Sequence, residues 1–182
     1  MSAMRGMLPL LWALSAAAGA GEAAPGAGAA GVPSEPSAGT AQRVSADELE
    51  LLRDMASKGS GEAMCRLGMC YLQGQGVARD VQEALRWFRR SAEAEDALGR
   101  YNLALCYAQG IGVRRSWKEA VRYFRPAAEQ QLPEAQYNLA RCYENGLGVK
   151  RSAKLARKWY ARAAAQGHEA AARRLRRAEG AF

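Results

Sequence analysis

The same residues return every 36 positions along this chain, and this period constrains the fold more than any other feature of the sequence. Three copies of the pattern Leu-x-x-Cys-Tyr-x-x-Gly-x-Gly-Val align, at residues 67–77, 103–113 and 139–149. An aromatic pair follows each copy: Trp87–Phe88, Tyr123–Phe124 and Trp159–Tyr160. A repeat of this length with helical patterning is typical of arrays in which each helix pair covers its neighbour's apolar face. Such arrays usually bind other molecules rather than transform them.

Each repeat is predicted to contain two helices joined by a tight turn. The first helix of the first copy has an apolar stripe at helical spacing, made by Ala63, Leu67, Cys70 and Tyr71. Gly74 is predicted to end this helix, because glycine readily adopts the left-handed conformation found at helix C-termini. The facing stripe on the second helix combines small and aromatic residues: Ala84, Trp87, Phe88 and Ala92. We expect the aromatic side chains to fill the space between helix layers.

The second helices are predicted to begin at capping residues. Two segments have the spacing of a capping box, in which two side chains each accept a hydrogen bond from the other residue's backbone N–H. These are Asp80 with Glu83 and Ser116 with Glu119. In the third copy Ser152 has Leu155 at the acidic position, so only one half of the box is expected there.

These residues resemble Sel1-like repeats, which are relatives of the tetratricopeptide helix pairs. The resemblance covers residues 61–167 and rests on the small residue after the repeated leucine, the Gly-x-Gly-Val turn, and the aromatic pair followed by small residues. It implies an all-α, right-handed solenoid of antiparallel helix pairs. Three full repeats are expected, at about 61–96, 97–132 and 133–167.

Both ends of the array, which we place at residues 46–182, are predicted to be closed by single helices. A helix over residues 47–57 resembles the second helix of a degenerate repeat, with an apolar face of Leu51, Leu52, Met55 and Ala56. A second capping helix is expected within residues 168–180. Arg176 there occupies a position that is small in all three full repeats, so this helix is expected to remain solvated.

The first 45 residues have a different composition and are not part of the array. Arg5 precedes an apolar run over residues 7–20 that ends in Ala-Gly-Ala, which predicts a secretory signal peptide at 1–20. The run is too short to span a bilayer. Residues 21–45 are dominated by Gly, Ala, Pro and Ser, so they are predicted to form a disordered linker. We expect a secreted or periplasmic protein, with a mitochondrial or cytoplasmic location as the alternative.

The four cysteines are predicted to be buried, unpaired thiols. Cys70, Cys106 and Cys142 share one repeat position, and successive copies are about 10 Å apart by helix-packing distances. A disulfide needs Cα atoms within about 7 Å. Cys65 lies on the same helix as Cys70, five residues away, and is expected to point to a different side. Burial of single cysteines as small apolar residues is common.

The resemblance also supplies an alternative function. A cysteine-rich branch of the Sel1-like family is associated with penicillin binding and weak β-lactamase activity, and has one disulfide within each repeat. This chain lacks the paired cysteine spacing of that branch. A cell-wall-associated, penicillin-binding or β-lactamase-like hydrolase is therefore the second interpretation.

Few residues in the chain are suited to catalysis. His168 is the only histidine and lies at the start of the predicted C-terminal capping helix, so we expect neither a His-based triad nor a His-rich metal site. The Gly-x-Gly turns lack the preceding strand and the third glycine of a nucleotide-binding loop. We therefore predict a non-enzymatic protein with no cofactor, no bound metal and no catalytic residues.

A partner-binding surface is the main functional prediction. In Sel1-like arrays the first helices line a concave face, and the positions opposite the apolar stripe are Arg66, Met69, Gln73, Asn102, Leu105, Gln109, Asn138, Arg141 and Asn145. Amide and guanidinium groups supply donors and acceptors for the backbone of a protein or peptide partner. The chain would then act as an adaptor or scaffold. A hydrated polar face without a ligand is the alternative.

The positive charge of the chain is confined to its C-terminal end. Residues 150–182 have 10 basic and 2 acidic residues, which equals the net charge of +8 of the whole chain. The predicted basic patch comprises Lys154, Arg157, Lys158, Arg173, Arg174, Arg176 and Arg177. It suits an acidic partner, or contact with a membrane or cell-wall surface, although such patches also serve solubility. No nucleic-acid motif accompanies it, so nucleic acid is not an expected partner, and we expect a monomer.

Overall fold

The computed structural model describes residues 44–179; the predicted signal peptide and nearly all of the predicted linker lie outside the described residues. The described part is made of eight helices and contains no strand. The helices are α1 (Ala46–Ser57), α2 (Gly61–Gln73), α3 (Val81–Glu93), α4 (Ala97–Gln109), α5 (Trp117–Glu129), α6 (Pro133–Asn145), α7 (Ala153–Ala165) and α8 (Glu169–Glu179).

Each helix packs on its neighbours along the chain. The closest pairs are α2 with α3, α4 with α5, and α6 with α7, which are the helix pairs of the three repeats. Each pair packs on the next, α2 also contacts α4, and the single helices α1 and α8 cover the two ends. The predicted all-α solenoid is therefore confirmed. It begins slightly earlier than predicted, because Val44 is buried and the Ser45 side chain caps α1.

Glycine ends every first helix, as the sequence predicts. Gly74, Gly110 and Gly146 have φ angles of 72°, 79° and 70°, and their N–H groups donate to the carbonyls of Cys70, Cys106 and Cys142. A second left-handed position recurs at 59, 95, 131 and 167, between one repeat and the next. It is glycine at the two ends of the array, but Glu95 and Gln131 occupy it between full repeats. This register confirms that α1 corresponds to the second helix of a repeat.

The predicted capping boxes form only in one direction. The Asp80, Ser116 and Ser152 side chains accept hydrogen bonds from the first turn of their helices, as expected. The backbone N–H groups of these three residues do not bond to a glutamate; instead they donate to the carbonyl oxygens of Tyr71, Tyr107 and Tyr143, each at 2.9 Å. The reason is that the turn brings the first helix within reach of the cap. Glu83 and Glu119 pair with Arg86 and Arg122 on the surface.

The aromatic pairs form the centre of the core, but their two members are not equivalent. Phe88 and Phe124 are buried completely, whereas Trp87 and Tyr123 are half-buried. In the third repeat both Trp159 and Tyr160 are buried. The helices approach closely beside Phe88, because a Cβ atom at Gly68 would lie 2.6 Å from its ring. The small residue predicted at this position is therefore required for packing.

The apolar face of α1 differs from the predicted one. Leu49, Leu52 and Ala56 are the residues packed against α2, and Leu51 and Met55 are 58% and 41% exposed. The physical reason is the repeat register: the first three residues correspond to Leu85, Phe88 and Ala92 of α3, which are all buried. The prediction was right for Leu52 and Ala56 and wrong for Leu51 and Met55.

Candidate interaction surface

The predicted partner-binding residues lie on what we call the first-helix face, formed by α2, α4 and α6. The structure places them at three levels of exposure. Arg66, Met69, Gln73, Gln109, Asn138 and Arg141 are half-buried, Asn145 is exposed, and Asn102 and Leu105 are buried. The face is thus partly covered in its central repeat.

Hydrogen bonds tie the first helices of successive repeats together across this face. Nδ2 of Asn102 donates to Sγ of Cys65 at 3.1 Å, and Nδ2 of Asn138 donates to Oη of Tyr101 at 3.4 Å. The two donors are 36 residues apart, and each partner lies 37 residues before its donor. We call these two hydrogen bonds the inter-repeat ladder.

The ladder corrects the sequence prediction for two residues. Asn102 and Leu105 are 7% and 5% exposed, so neither is a solvent-facing contact residue. Both lie on α4, which has a repeat on either side, and the polar side chain of Asn102 is used internally. A buried amide is stable only if it is hydrogen-bonded, which the Cys65 thiol provides.

The remaining polar groups of the face are accessible. Arg66 pairs with Glu48 of α1 at 2.9 Å, with both side chains 40% exposed. Asn145 donates to the carbonyl of Arg141, which leaves its side-chain oxygen and the Arg141 guanidinium available to a ligand. Gln73 and Gln109 lie at the same repeat position as Asn145. These groups form a row of donors and acceptors along three helices.

The cysteines are free and buried, as predicted. Burial raises the pKa of Cys65, Cys106 and Cys142 to about 12, and it also raises the pKa of Cys70. A nucleophilic cysteine needs the opposite shift, because the thiolate is the reactive form. These thiols are therefore unsuited to nucleophilic catalysis.

The single histidine is a capping residue. Nδ1 of His168 accepts a hydrogen bond from the Ala171 N–H at 3.3 Å at the start of α8, and the ring stacks on Tyr137 with centroids 4.6 Å apart. Burial lowers the pKa of His168, which keeps the neutral, accepting form. Among the residues that the structure describes, no cluster of His, Cys, Asp and Glu could hold a metal ion.

The predicted basic patch lies on α7 and α8, and all seven of its side chains are exposed. Arg173 pairs with Glu169 at 3.3 Å and Arg174 with Glu144 at 3.6 Å. Arg162 lies over the Trp159 ring, 4.7 Å from its centroid. The patch is therefore accessible to an anionic partner.

The sequence alone did not reveal a basic cavity of about 460 Å³ beside this patch. It is lined by Arg125, Tyr143, Val149, Lys150, Arg151, Ser152 and Leu155. Arg125 comes from the preceding repeat and donates to Oη of Tyr143 at 3.1 Å. The signal that could have indicated it is the arginine at position 151, which recurs at 79 and 115 directly before each second helix.

No helix in residues 44–179 has the length and apolarity to cross a membrane.

A family model described as the Sel1 repeat matches three segments of the chain, residues 61–96, 97–132 and 133–168. No curated protein sequence is significantly similar to the chain. Among solved structures, a Sel1 repeat protein from Oxalobacter formigenes is 38% identical, with a TM-score of 0.68, and the match covers 71% of this chain and 97% of that one.

Two further structures are similar. The protective antigen c5321 of uropathogenic Escherichia coli strains, which has an SLR fold, is 38% identical with a TM-score of 0.65; the match covers 68% of this chain but 26% of the antigen. The cysteine-rich protein B of Helicobacter pylori is 19% identical with a TM-score of 0.55, covering 68% of this chain and 94% of that protein, which shows a shared fold alone.

Proposed function

Because the chain belongs to the Sel1 repeat family, we propose that it is a non-enzymatic adaptor that binds a partner polypeptide along its first-helix face. Sel1 repeat proteins are generally protein-interaction scaffolds.

The observation that carries the proposal is the row of amide and guanidinium groups on three successive first helices. Gln73, Gln109, Arg141 and Asn145 are accessible on helices that the inter-repeat ladder holds in fixed relation. A rigid surface loses little conformational entropy on binding, which favours affinity. Side-chain amides can pair with both the N–H and the C=O groups of an extended peptide.

The test is to locate the contact on the protein. A photo-crosslinking residue at position 109 should capture a partner from the producing cells, and the double variant Arg141→Ala/Asn145→Ala should lose that partner. Mass spectrometry of the crosslinked peptides would identify the residues in contact. The variant should keep its helical circular dichroism, because both side chains are at or near the surface.

A matched control separates this face from the rest of the surface. The double variant Arg86→Ala/Gln82→Ala removes a guanidinium and an amide from the exposed side of α3. It should retain the partner. Loss of binding in this control, with retention in the α6 variant, would place the partner on the second helices and contradict the proposal.

The basic patch supports an acidic partner. Its arginines and lysines lie on α7 and α8, at the end of the row formed by the first helices. Exposed charges at the edge of an interface act mainly on the rate of association and on its salt dependence. The same charges are suited to contact with an anionic membrane or cell-wall surface, which a partner-free binding assay with vesicles would reveal.

Export from the cytoplasm is part of the proposal and rests on the sequence of residues 1–20. A signal peptide ending at the Ala-Gly-Ala segment would give a mature protein that begins near Gly21. N-terminal sequencing of protein from the producing cells tests this, and an intact residue 1 or 2 would contradict it.

The hydrolase alternative has little support from the described residues. A cysteine nucleophile is disfavoured, because burial raises the pKa of the thiols. His168 is occupied as a helix cap and is stacked on Tyr137. The Sel1 fold is typically a non-enzymatic scaffold.

A further inference from the structure

The two ends of the solenoid are half-repeats of opposite kind. Helix α1 corresponds to a second helix, and no first helix of its own precedes it within residues 44–179. Helix α8 corresponds to a first helix, and no second helix follows it in that part of the chain. Within the described residues, each end therefore leaves open the face that its missing partner would cover.

The open face of α1 has exposed apolar side chains. In the first full repeat, α3 contacts its own first helix through Ala84 and Ser91: the Ala84 carbonyl oxygen is 3.2 Å from a Cβ atom placed on Gly68, and Ser91 Oγ donates to the Gly61 carbonyl at 2.7 Å. The corresponding side of α1 contains Leu51 and Met55. They are two of the three large hydrophobic residues that are exposed in the described part of the chain.

The open face of α8 differs from the first helices of the full repeats at one residue, and α1 differs from the second helices at the positions that would face this residue. Arg176 corresponds to Gly68, which must be small because it faces the Phe88 ring and Ala84. On α1 the positions of Ala84 and Phe88 are Glu48 and Leu52. An arginine that faces α1 would therefore meet a carboxylate and a smaller apolar side chain, so the size and the charge of the changed residues are complementary.

The net charges of the two end helices are also opposite. Helix α1 has four acidic residues, Asp47, Glu48, Glu50 and Asp54, and one basic residue, Arg53. Helix α8 has four arginines, at 173, 174, 176 and 177, and two acidic residues. Opposite charge on facing helices favours the correct orientation and disfavours pairing of like ends.

We propose that a second copy of this chain binds head to tail, with α1 of one molecule on α8 of the next. The joint would complete a helix pair of the kind found inside each repeat. Because the two contacting surfaces differ, each pair keeps one free end of each kind, and further copies can add head to tail. This proposal replaces the expectation of a monomer, and it does not depend on a partner at the first-helix face.

The test is the mass of the full chain in solution by sedimentation equilibrium. A joint of one helix pair is small, so association is expected to be weak and to need a high protein concentration in low salt. Two variants disable one end each: Leu51→Asn/Met55→Asn removes the exposed apolar side chains of α1, and Arg176→Glu/Arg177→Glu reverses the charge of α8. Each should raise the apparent Kd by about tenfold or more, as expected when buried apolar or paired charged groups are lost.

A mixture of the two variants distinguishes this arrangement from any other. Each variant retains one intact end, so together they should form a 1:1 pair that grows no further, at concentrations where each variant alone is mostly monomeric. The control Lys118→Glu/Arg122→Glu changes the charge equally on the exposed side of α5 and should associate like the unaltered chain. A chain that is monomeric throughout, for example because residues 1–43 cover α1, would overturn the proposal, as would variants that do not complement each other.

Discussion

Gly99 lies so close to Ser91 that a Cβ atom on Gly99 would be 2.5 Å from the Ser91 Cβ atom. The corresponding pairs in the next two repeats are Ala127 with Ala135 and Ala163 with Ala171, all fully buried. Compared with these alanine pairs, the first pair has a larger side chain at position 91 and a smaller residue at position 99. Ser91 therefore occupies more of the space between the two helices, and Gly99 occupies less. Ser91 uses its hydroxyl to bond the Gly61 carbonyl of its own first helix.

Gly99→Ala is therefore expected to destabilise the protein by about 1–3 kcal/mol, the usual cost of overpacking a core. At an exposed position of a helix the same change from glycine to alanine has the opposite effect and stabilises the helix. The double variant Ser91→Ala/Gly99→Ala has the same residue pair as the other repeats; it removes the Oγ atom but keeps the Cβ atom at position 91, so it should recover part of the loss. Urea denaturation of the four proteins measures the coupling, and additive effects would show that the two residues do not compensate each other.

Asn102→Ala should destabilise the protein by about 1 kcal/mol, because it removes the inter-repeat bond to Cys65. The matched control is Asn145→Ala, whose exposed side chain bonds only within its own helix, and its effect should stay within about 0.5 kcal/mol. Thermal denaturation compares the two. Equal stability of the two variants would mean that the ladder contributes nothing measurable.

Glu95→Gly and Gln131→Gly should each stabilise the protein by about 1 kcal/mol. Both residues have left-handed backbone, with φ angles of 61° and 65°, which costs an L-residue with a side chain about that much. Gly59→Ala tests the converse, since no atom lies within 4 Å of the added methyl and any loss comes from the backbone alone. The midpoint of urea unfolding should rise for the first two variants and fall for the third.

Acidification is expected to loosen the C-terminal helix. Burial lowers the pKa of His168 from its ordinary value of 6.5, so the neutral ring is favoured by folding. The stabilising effect is complete above pH 6.5 and is lost as the pH falls through the lower pKa of the folded state. Nearby Glu134 opposes this shift and Arg173 adds to it. Amide exchange in α8 should speed up between pH 7 and 5 relative to α4.

His168→Asn is the control for this titration. Asparagine is a good N-cap residue and does not ionise in this range. The variant should retain the cap at both pH values, and its amide exchange, once corrected for the intrinsic effect of pH, should be constant. The same acid-induced change in both proteins would assign the effect to other groups.

The cysteines should be unreactive in the folded protein. With a pKa of about 12, Cys65, Cys106 and Cys142 have a thiolate fraction of roughly 10⁻⁴ at pH 8, and all four thiols are buried. A thiol reagent should label the native protein slowly and label four sites quickly in denaturant without prior reduction. Fewer than four labelled sites would reveal disulfides and favour the hydrolase interpretation.

The parts of the fold that depend on local chemistry were predictable from the sequence. The glycine turns at 74, 110 and 146 and the caps at 80, 116 and 152 follow from backbone preferences of single residues, and the structure confirms them. The face of α1 was also predictable, because Leu49 is 36 residues before the buried Leu85. The spacing of apolar residues within α1, without the repeat register, instead predicts Leu51 and Met55 on the buried face.

The exposure of the first-helix face was not predictable in the same way. Asn102 and Asn138 occupy one repeat position, yet the first is buried and the second is half-buried. The residues that the two amides contact in the preceding repeat also differ: Cys65 for Asn102 and Tyr101 for Asn138. The basic cavity likewise depends on a contact between repeats, because Arg125, which lines it, belongs to a different repeat from the other lining residues.

The backbone N–H of each second-helix cap donates to the carbonyl of the tyrosine nine residues earlier, and this hydrogen bond bears on how many repeats the protein can have. It joins Asp80 to Tyr71, Ser116 to Tyr107 and Ser152 to Tyr143 through backbone atoms only, and both atoms belong to the same 36-residue unit. Duplicating or deleting a whole unit would therefore leave every such turn closed, whichever side chains stood beside it. Copy number can change by gene duplication without any turn having to be rebuilt.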